Sequence, residues 1–201
     1  MSTLRAHPLA ETTYLGKIME TAEQSITLNA NLLKNYYLIV DPFISAHQTA
    51  QLAAQIRLEH TNTRLPADDQ VVGSPAFSNL PFLRELHQEM LEQVEQLAEC
   101  ALLSSYVYGR IYQQGAVLAP HRDRDACEVS VTLNVASSEP WGIWFEKPDG
   151  EKKQVILQPG AAAIYLGRDA LHWREPFAGT ECIQIFLHYV QKYGKRNAAL
   201  A

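Results

Sequence analysis

Residues 105–135 read SYVYGRIYQQGAVLAPHRDRDACEVSVTLNV, and this stretch decides the fold class of the chain. Its first part is rich in Tyr, Val and Ile, and hydrophobic residues alternate from Val129 to Val135. Aromatic and β-branched residues at a period of two are typical of strands with one buried face. The stretch therefore predicts two strands on either side of a polar segment, His121-Arg122-Asp123.

Further short strands are predicted after this stretch, separated by turn residues such as Pro148-Asp149-Gly150. A short strand at residues 36–40 is expected to pair at an edge. Several short strands linked by turns are typical of a sandwich or a jelly roll. The complete set of main predicted strands is 105–113, 128–135, 141–145, 154–157, 161–166 and 182–190.

The N-terminal half has a helical pattern instead. Residues 46–59 and 80–103 carry apolar residues at three- and four-residue steps, and Ser45 precedes the first segment as an N-cap. Residues 61–78 are polar, contain Gly and Pro, and predict a lid loop. The fold class is therefore α+β with a mainly β core and N-terminal supporting helices. We expect a single domain, 1–201, in which 1–104 is mainly helical support and lid loop.

The composition limits the partners. The chain has 17 basic and 22 acidic residues, a net charge of −5, without a basic run, which makes nucleic acid a disfavoured partner. No apolar run approaches the ~20 residues that span a membrane. The N-terminus lacks the apolar core of a signal peptide, and three separated cysteines suit a reducing compartment. We predict a cytoplasmic protein. The oligomeric state stays open, as does the role of residues 14–23 and of the tail after Gly194.

Two residues in the polar segment can bind a metal ion together. His121 and Asp123 are two positions apart, so their side chains point to the same side of a strand end. A second histidine, His172, follows the predicted strand 161–166. Two histidines and one carboxylate form a facial triad, which suits Fe(II) with open positions for a cosubstrate and O2. The His-x-Asp pair alone is a weak signal; its place among the strands strengthens it.

Five pieces in a fixed order carry a family resemblance: YQQG at 112–115, HRD at 121–123, VTLN at 131–134, PG at 159–160 and LH at 171–172. On these pieces residues 105–190 resemble the double-stranded β-helix core of the Fe(II)/2-oxoglutarate-dependent oxygenases, most of all the small prolyl-hydroxylase-like members. The resemblance implies a jelly roll, Fe(II) as cofactor, and 2-oxoglutarate and O2 as cosubstrates. It also implies that His121, Asp123 and His172 are the catalytic metal ligands and that Tyr112 contacts 2-oxoglutarate.

The sequence departs from the family at one point. The family places an arginine on the last core strand, where it binds the far carboxylate of 2-oxoglutarate. The corresponding positions here, 181–184, hold no basic residue. Arg174 and Arg110 are the candidate replacements. Arg174 shares a face with His172 if a strand has begun there, and Arg110 shares a face with Tyr112.

The resemblance implies hydroxylation of a substrate, coupled to oxidative decarboxylation of 2-oxoglutarate. The substrate is open: an amino-acid side chain, free or in a peptide, a methylated nucleobase and a small molecule all fit, and the acidic charge opposes the nucleobase. The missing arginine supports two alternatives. One is an iron oxygenase that needs no 2-oxoglutarate. The other is a non-catalytic, cupin-like metal-binding module.

Overall fold

The computed structural model describes residues 28–195. Residues 14–23 and nearly all of the tail after Gly194 lie outside the described residues, so the expected single domain over 1–201 stays a prediction. The helices are α1 (Ala30–Asn35), α2 (Ala46–Thr63), α3 (Pro81–Glu89) and α4 (Leu91–Ala98). The strands are β1 (Tyr37–Val40), β2 (Ala76–Ser78), β3 (Leu102–Gln113), β4 (Leu118–His121), β5 (Val129–Ser137), β6 (Ile143–Glu146), β7 (Lys152–Val155), β8 (Ala162–Tyr165), β9 (His172–Arg174) and β10 (Glu181–Gln191).

Two antiparallel sheets form the core. The larger sheet has six strands in the order β1-β8-β5-β10-β3-β2, and the smaller has four in the order β4-β9-β6-β7. One hydrophobic cluster joins the helices to the larger sheet, and two more fill the space between the sheets. The predicted double-stranded β-helix with supporting helices is confirmed. No helix in the described part of the chain is long and apolar enough to cross a membrane.

Helix α2 begins where the sequence predicted. Ser45 accepts a hydrogen bond from the Gln48 N–H, and Gln48 accepts one from the Ser45 N–H, which completes a capping box. Leu52, Ala53 and Ile56 face the core. The helix runs on to Thr63, four residues beyond the predicted end.

The prediction of one helix over 80–103 is wrong. Helix α3 ends at Glu89 and α4 at Ala98, and β3 begins at Leu102. Glu99 has a left-handed backbone (φ 57°) that closes the helix, and the Leu102 N–H donates to the Glu95 carboxylate at 2.7 Å. Leucines at helical spacing continue into a strand here, so periodicity alone misplaces the boundary.

Three short strands were not predicted: β2, β4 and β9. β2 and β9 have three residues each, too few for a hydrophobic period to be visible, and β4 contains Pro120. β4 and β9 pair with each other in the smaller sheet, with His121 opposite His172. This pairing positions the candidate site. The predicted edge strand 36–40 is confirmed as β1, which pairs with β8.

Candidate functional site

The metal-ligand candidates meet at one end of the smaller sheet. β4 ends at His121 and β9 begins at His172, and the two residues are partners across the ladder. Asp123 follows β4, and its N–H donates to the Gly167 carbonyl at 2.8 Å. The sequence placed His121 and Asp123 in one segment and His172 in another, and strand pairing brings the two segments together.

The distances suit one metal ion. Asp123 Oδ1 lies 3.5 Å from His121 Nε2 and 3.7 Å from His172 Nε2. The three ligand atoms all lie within 4.8 Å of one another. His172 is buried, and the His121 and Asp123 side chains are 27% and 13% exposed, so the site opens on one side only. Two imidazole nitrogens and one carboxylate oxygen leave other coordination positions free.

Both histidines are oriented by their second ring nitrogen. His121 Nδ1 lies 2.9 Å from the Ala119 carbonyl, and His172 Nδ1 lies 3.0 Å from the Ala170 carbonyl. A carbonyl oxygen only accepts, so each Nδ1 carries the proton and each Nε2 presents a lone pair to the site. Such backbone partners fix the tautomer of metal-binding histidines.

The carboxylate of Asp123 is fixed in a similar way. Its Oδ2 accepts hydrogen bonds from the Tyr165 hydroxyl (3.2 Å) and the Ser130 hydroxyl (3.4 Å), and Oδ1 faces the histidines. Gly167 packs directly behind it, because a Cβ there would lie 2.5 Å from Asp123 Oδ2 and 2.4 Å from the Cys127 carbonyl. Only glycine allows this approach.

The protonation states also suit a cation. Burial lowers the pKa of His172 to about 4, so its imidazole is neutral at pH 7. Burial alone would raise the pKa of Asp123, but the adjacent His121 and the nearby histidines lower it overall, and the group is ionised. The donor set thus fits a divalent ion that prefers nitrogen and oxygen ligands.

A cavity of about 370 Å³ opens over the three ligands. Tyrosines of β3 and the side chains of Phe186 and His188 on β10 form one wall. The predicted lid loop lines the cavity with Asp68 and Gln70, and its residue Val71 is buried in the cluster between the sheets. Whether the loop moves stays a prediction.

Arg110 is fully buried and already has an acidic partner. Its Nη2 lies 2.8 Å and 2.7 Å from the two carboxylate oxygens of Asp68. Nη2 also donates to the Tyr108 hydroxyl, and Nη1 reaches the Ser74 carbonyl at 3.2 Å. Arg110 therefore fastens the lid loop to β3.

Arg174 has no acidic partner among residues 28–195, and its side chain is buried too. Nη1 donates to the Trp141 carbonyl (2.8 Å) and Nη2 to Gln184 Oε1 (3.3 Å), and the buried Nε has no hydrogen-bond partner there. Burial lowers the pKa of the guanidinium. Strand β9 does begin at His172, and this was the condition for Arg174 to share a face with His172. Gln184 lies among the positions where the family has its arginine, so Arg174 reaches that place from β9 in the opposite sheet.

Tyr112 is buried beside Arg174. The Trp141 ring packs on both residues, 4.8 Å from the Arg174 guanidinium and 4.8 Å from the Tyr112 ring centroid. Tyr112 lines the cavity. His188 is buried and also lines the cavity, with its Nδ1 2.9 Å from the Ser130 hydroxyl.

The fold has close structural relatives. A prolyl-4-hydroxylase from Pseudomonas putida matches with a TM-score of 0.65 at 19% identity, over 81% of this chain and 96% of that one. The 2-oxoglutarate-dependent carbocyclase SnoK of nogalamycin biosynthesis matches at 0.68 and 11%, over 80% and 81%. HygX of Streptomyces hygroscopicus, with nickel, 2-oxoglutarate and hygromycin B bound, matches at 0.65 and 11%, over 81% and 86%.

The chain has the fold of the Fe(II)/2-oxoglutarate-dependent oxygenases. This confirms the fold expected from the resemblance in residues 105–190. No protein-family model matches the sequence, and no curated protein matches it significantly. The structural likeness concerns the fold, and the chemistry has to be argued from the site.

Proposed function

We propose that the protein is a non-haem iron oxygenase that couples oxidative decarboxylation of 2-oxoglutarate to hydroxylation of a substrate. The observation that carries this proposal is the convergence of His121, Asp123 and His172 with both Nδ1 atoms held by backbone carbonyls. The bound 2-oxoglutarate in the HygX structure supports the choice of cosubstrate.

The three ligands have distinct tasks in this proposal. His121 and His172 would offer Nε2, and ionised Asp123 would offer Oδ1 while Tyr165 and Ser130 hold Oδ2. A carboxylate at Asp123 leaves no ligand position for a halide, which favours hydroxylation over halogenation. When bound, Fe(II) supplies the activation of O2. The overall reaction consumes one O2, one 2-oxoglutarate and a substrate C–H bond, and releases succinate, CO2 and the hydroxylated product.

Arg174 is the residue we assign to the far carboxylate of 2-oxoglutarate, with Tyr112 beside it. His172 and Arg174 are two residues apart on β9, a span of about 7 Å that an extended five-carbon diacid can bridge. A buried guanidinium without an acid is costly, and an incoming carboxylate removes this cost. Arg110, the other candidate, is neutralised by Asp68.

An anaerobic titration tests the proposal. Apo-protein is titrated with Fe(II) and then with 2-oxoglutarate, and the weak visible charge-transfer band of the chelate is followed. We expect the band in the wild-type protein and its loss in His121→Ala and His172→Ala. His87→Ala removes a buried histidine outside the site and serves as the control.

Other outcomes of the titration would favour a different function. Iron binding without a band would contradict the role of 2-oxoglutarate and favour an oxygenase that needs no oxo acid or a cupin-like module. The lack of a basic side chain at 181–184 supports those alternatives. Succinate formation separates them from the proposal, since only the proposed reaction produces it.

A further inference from the structure

Planar side chains form a continuous wall along the cavity. The ring centroids of Tyr108 and Phe186 are 6.0 Å apart, those of Phe186 and His188 6.4 Å, and those of His188 and Tyr106 4.5 Å. All four residues line the cavity. Such a wall favours a flat or apolar ligand.

A guanidinium stands at the end of the wall. Arg124 lies over the Tyr106 ring, with 4.7 Å from its Cζ to the ring centroid, and its Nε donates to the Tyr106 hydroxyl at 3.3 Å. Arg122 lines the same cavity, and its Nε donates to the Asp169 carbonyl at 3.1 Å. Each arginine is thus anchored through Nε, and its terminal nitrogens are available to bind a ligand.

Neither arginine has an acidic partner within the described part of the chain. The nearby Arg168 does: its Nε lies 2.9 Å from Asp125 Oδ1. Asp68, an acidic residue of the cavity lining, is paired with Arg110. Both side chains are exposed at the cavity, and an anion bound there would gain charge-assisted hydrogen bonds from two anchored guanidinium groups.

We propose that the substrate is an elongated molecule with an apolar or aromatic body and a terminal oxyanion. The body lies along the wall from Tyr108 to Tyr106, and Arg122 and Arg124 bind the carboxylate or phosphate end. Because the three metal-ligand candidates line the same cavity, the body of the substrate would then lie over them. The proposal specifies the substrate class for the proposed oxygenase and rests on it.

Probe binding tests the proposal independently of the iron chemistry. Metal-free protein and protein loaded with Ni(II) and 2-oxoglutarate are titrated at low salt by NMR with 3-phenylpropionate, its uncharged amide and phenyl phosphate. We expect both anions to bind at least tenfold more tightly than the amide. The stronger of the two anions identifies the end group as carboxylate or phosphate.

Arginine variants test whether the anion binds at Arg122 and Arg124. Arg122→Gln and Arg124→Gln are each expected to weaken anion binding about fivefold, and the double variant to remove the preference over the amide. Arg168→Gln, the matched control, should leave it unchanged.

Equal binding of acid and amide would overturn the proposal, as would anion binding that persists in the double variant. An oligothymidylate that bound more than tenfold tighter than phenyl phosphate would replace it with a nucleic-acid substrate. Failure of the proposed oxygenase would show separately, as a missing charge-transfer band while the probes still bind the metal-free protein.

Discussion

Arg110 and Arg174 are both buried, with 0% and 1% of their surface exposed, yet their surroundings differ in charge. Arg110 lies against both oxygens of Asp68, from a loop distant in sequence. Arg174 contacts a backbone carbonyl, the Gln184 amide and the face of Trp141. One guanidinium has its anion built into the protein, and the other has neutral partners.

The difference supports a structural role for Arg110 and agrees with the binding role that we propose for Arg174. A buried charge destabilises a protein unless an opposite charge and hydrogen bonds compensate for it. Asp68 provides that compensation for Arg110 and attaches the loop to the sheet. Among residues 28–195 no acidic side chain pairs with Arg174, which is the observation behind our proposal that 2-oxoglutarate supplies the anion.

The largest effect is expected for Arg174→Met. The variant keeps the length of the side chain and removes the charge, so the Kd for 2-oxoglutarate should rise about 100- to 1000-fold, since each lost charge-assisted hydrogen bond is worth about 1.5–3 kcal/mol. The charge-transfer band measures this. Arg110→Met is the control, and an equal or larger loss there would reverse the roles assigned to the two arginines.

Asp68→Ala should have the next largest effect. The substitution leaves Arg110 buried without its anion, and we expect the free energy of unfolding to fall by about 3 kcal/mol in urea denaturation. Asp69→Ala, which removes the exposed neighbouring carboxylate, should change the free energy of unfolding little. In the Asp68→Ala/Arg110→Met double variant most of the loss should be recovered; additive losses would show that the two side chains do not interact.

A smaller effect is expected from moving the charge. Gln184 contacts Arg174, so Arg174→Gln with Gln184→Arg exchanges the two side chains and puts an arginine where the family has one. The exchange should restore 2-oxoglutarate affinity about tenfold relative to Arg174→Gln alone. No recovery would mean that the geometry of β9, and not charge alone, holds the cosubstrate.

The smallest effect concerns pH. Burial would raise the pKa of Asp68, but hydrogen bonds from Tyr108 and Arg110 lower it below 3.8 overall. A carboxyl group with a lowered pKa stabilises the folded state above its unfolded pKa, and this contribution disappears as the pH falls through the folded value. Pepsin cleavage within residues 64–75 should therefore increase in strong acid. Asp68→Asn should remove this step and Asp69→Asn should keep it.

The sequence predicted the three metal-ligand candidates because their types and order are local signals. The alternating residues of β5 and the position of His172 after β8 were also readable. The short strands β4 and β9 were not, since β4 contains Pro120 and the three residues of β9 have no measurable period. The end of α4 was misplaced because leucines at Leu102 and Leu103 fit a helix as well as a strand.

The sequence by itself determined the β core, the acidic character of the chain, the identities of the candidate ligands and the lack of an arginine at 181–184. Only the tertiary structure decided which arginine has an acid, which carbonyls hold the histidine rings, and that Arg122 and Arg124 face one cavity. Hydrophobic periodicity indicates which residues face the core, whereas an ion pair can join residues that lie far apart in the chain. No sequence pattern links Asp68 to Arg110, and the two side chains come into contact only when the loop packs on β3.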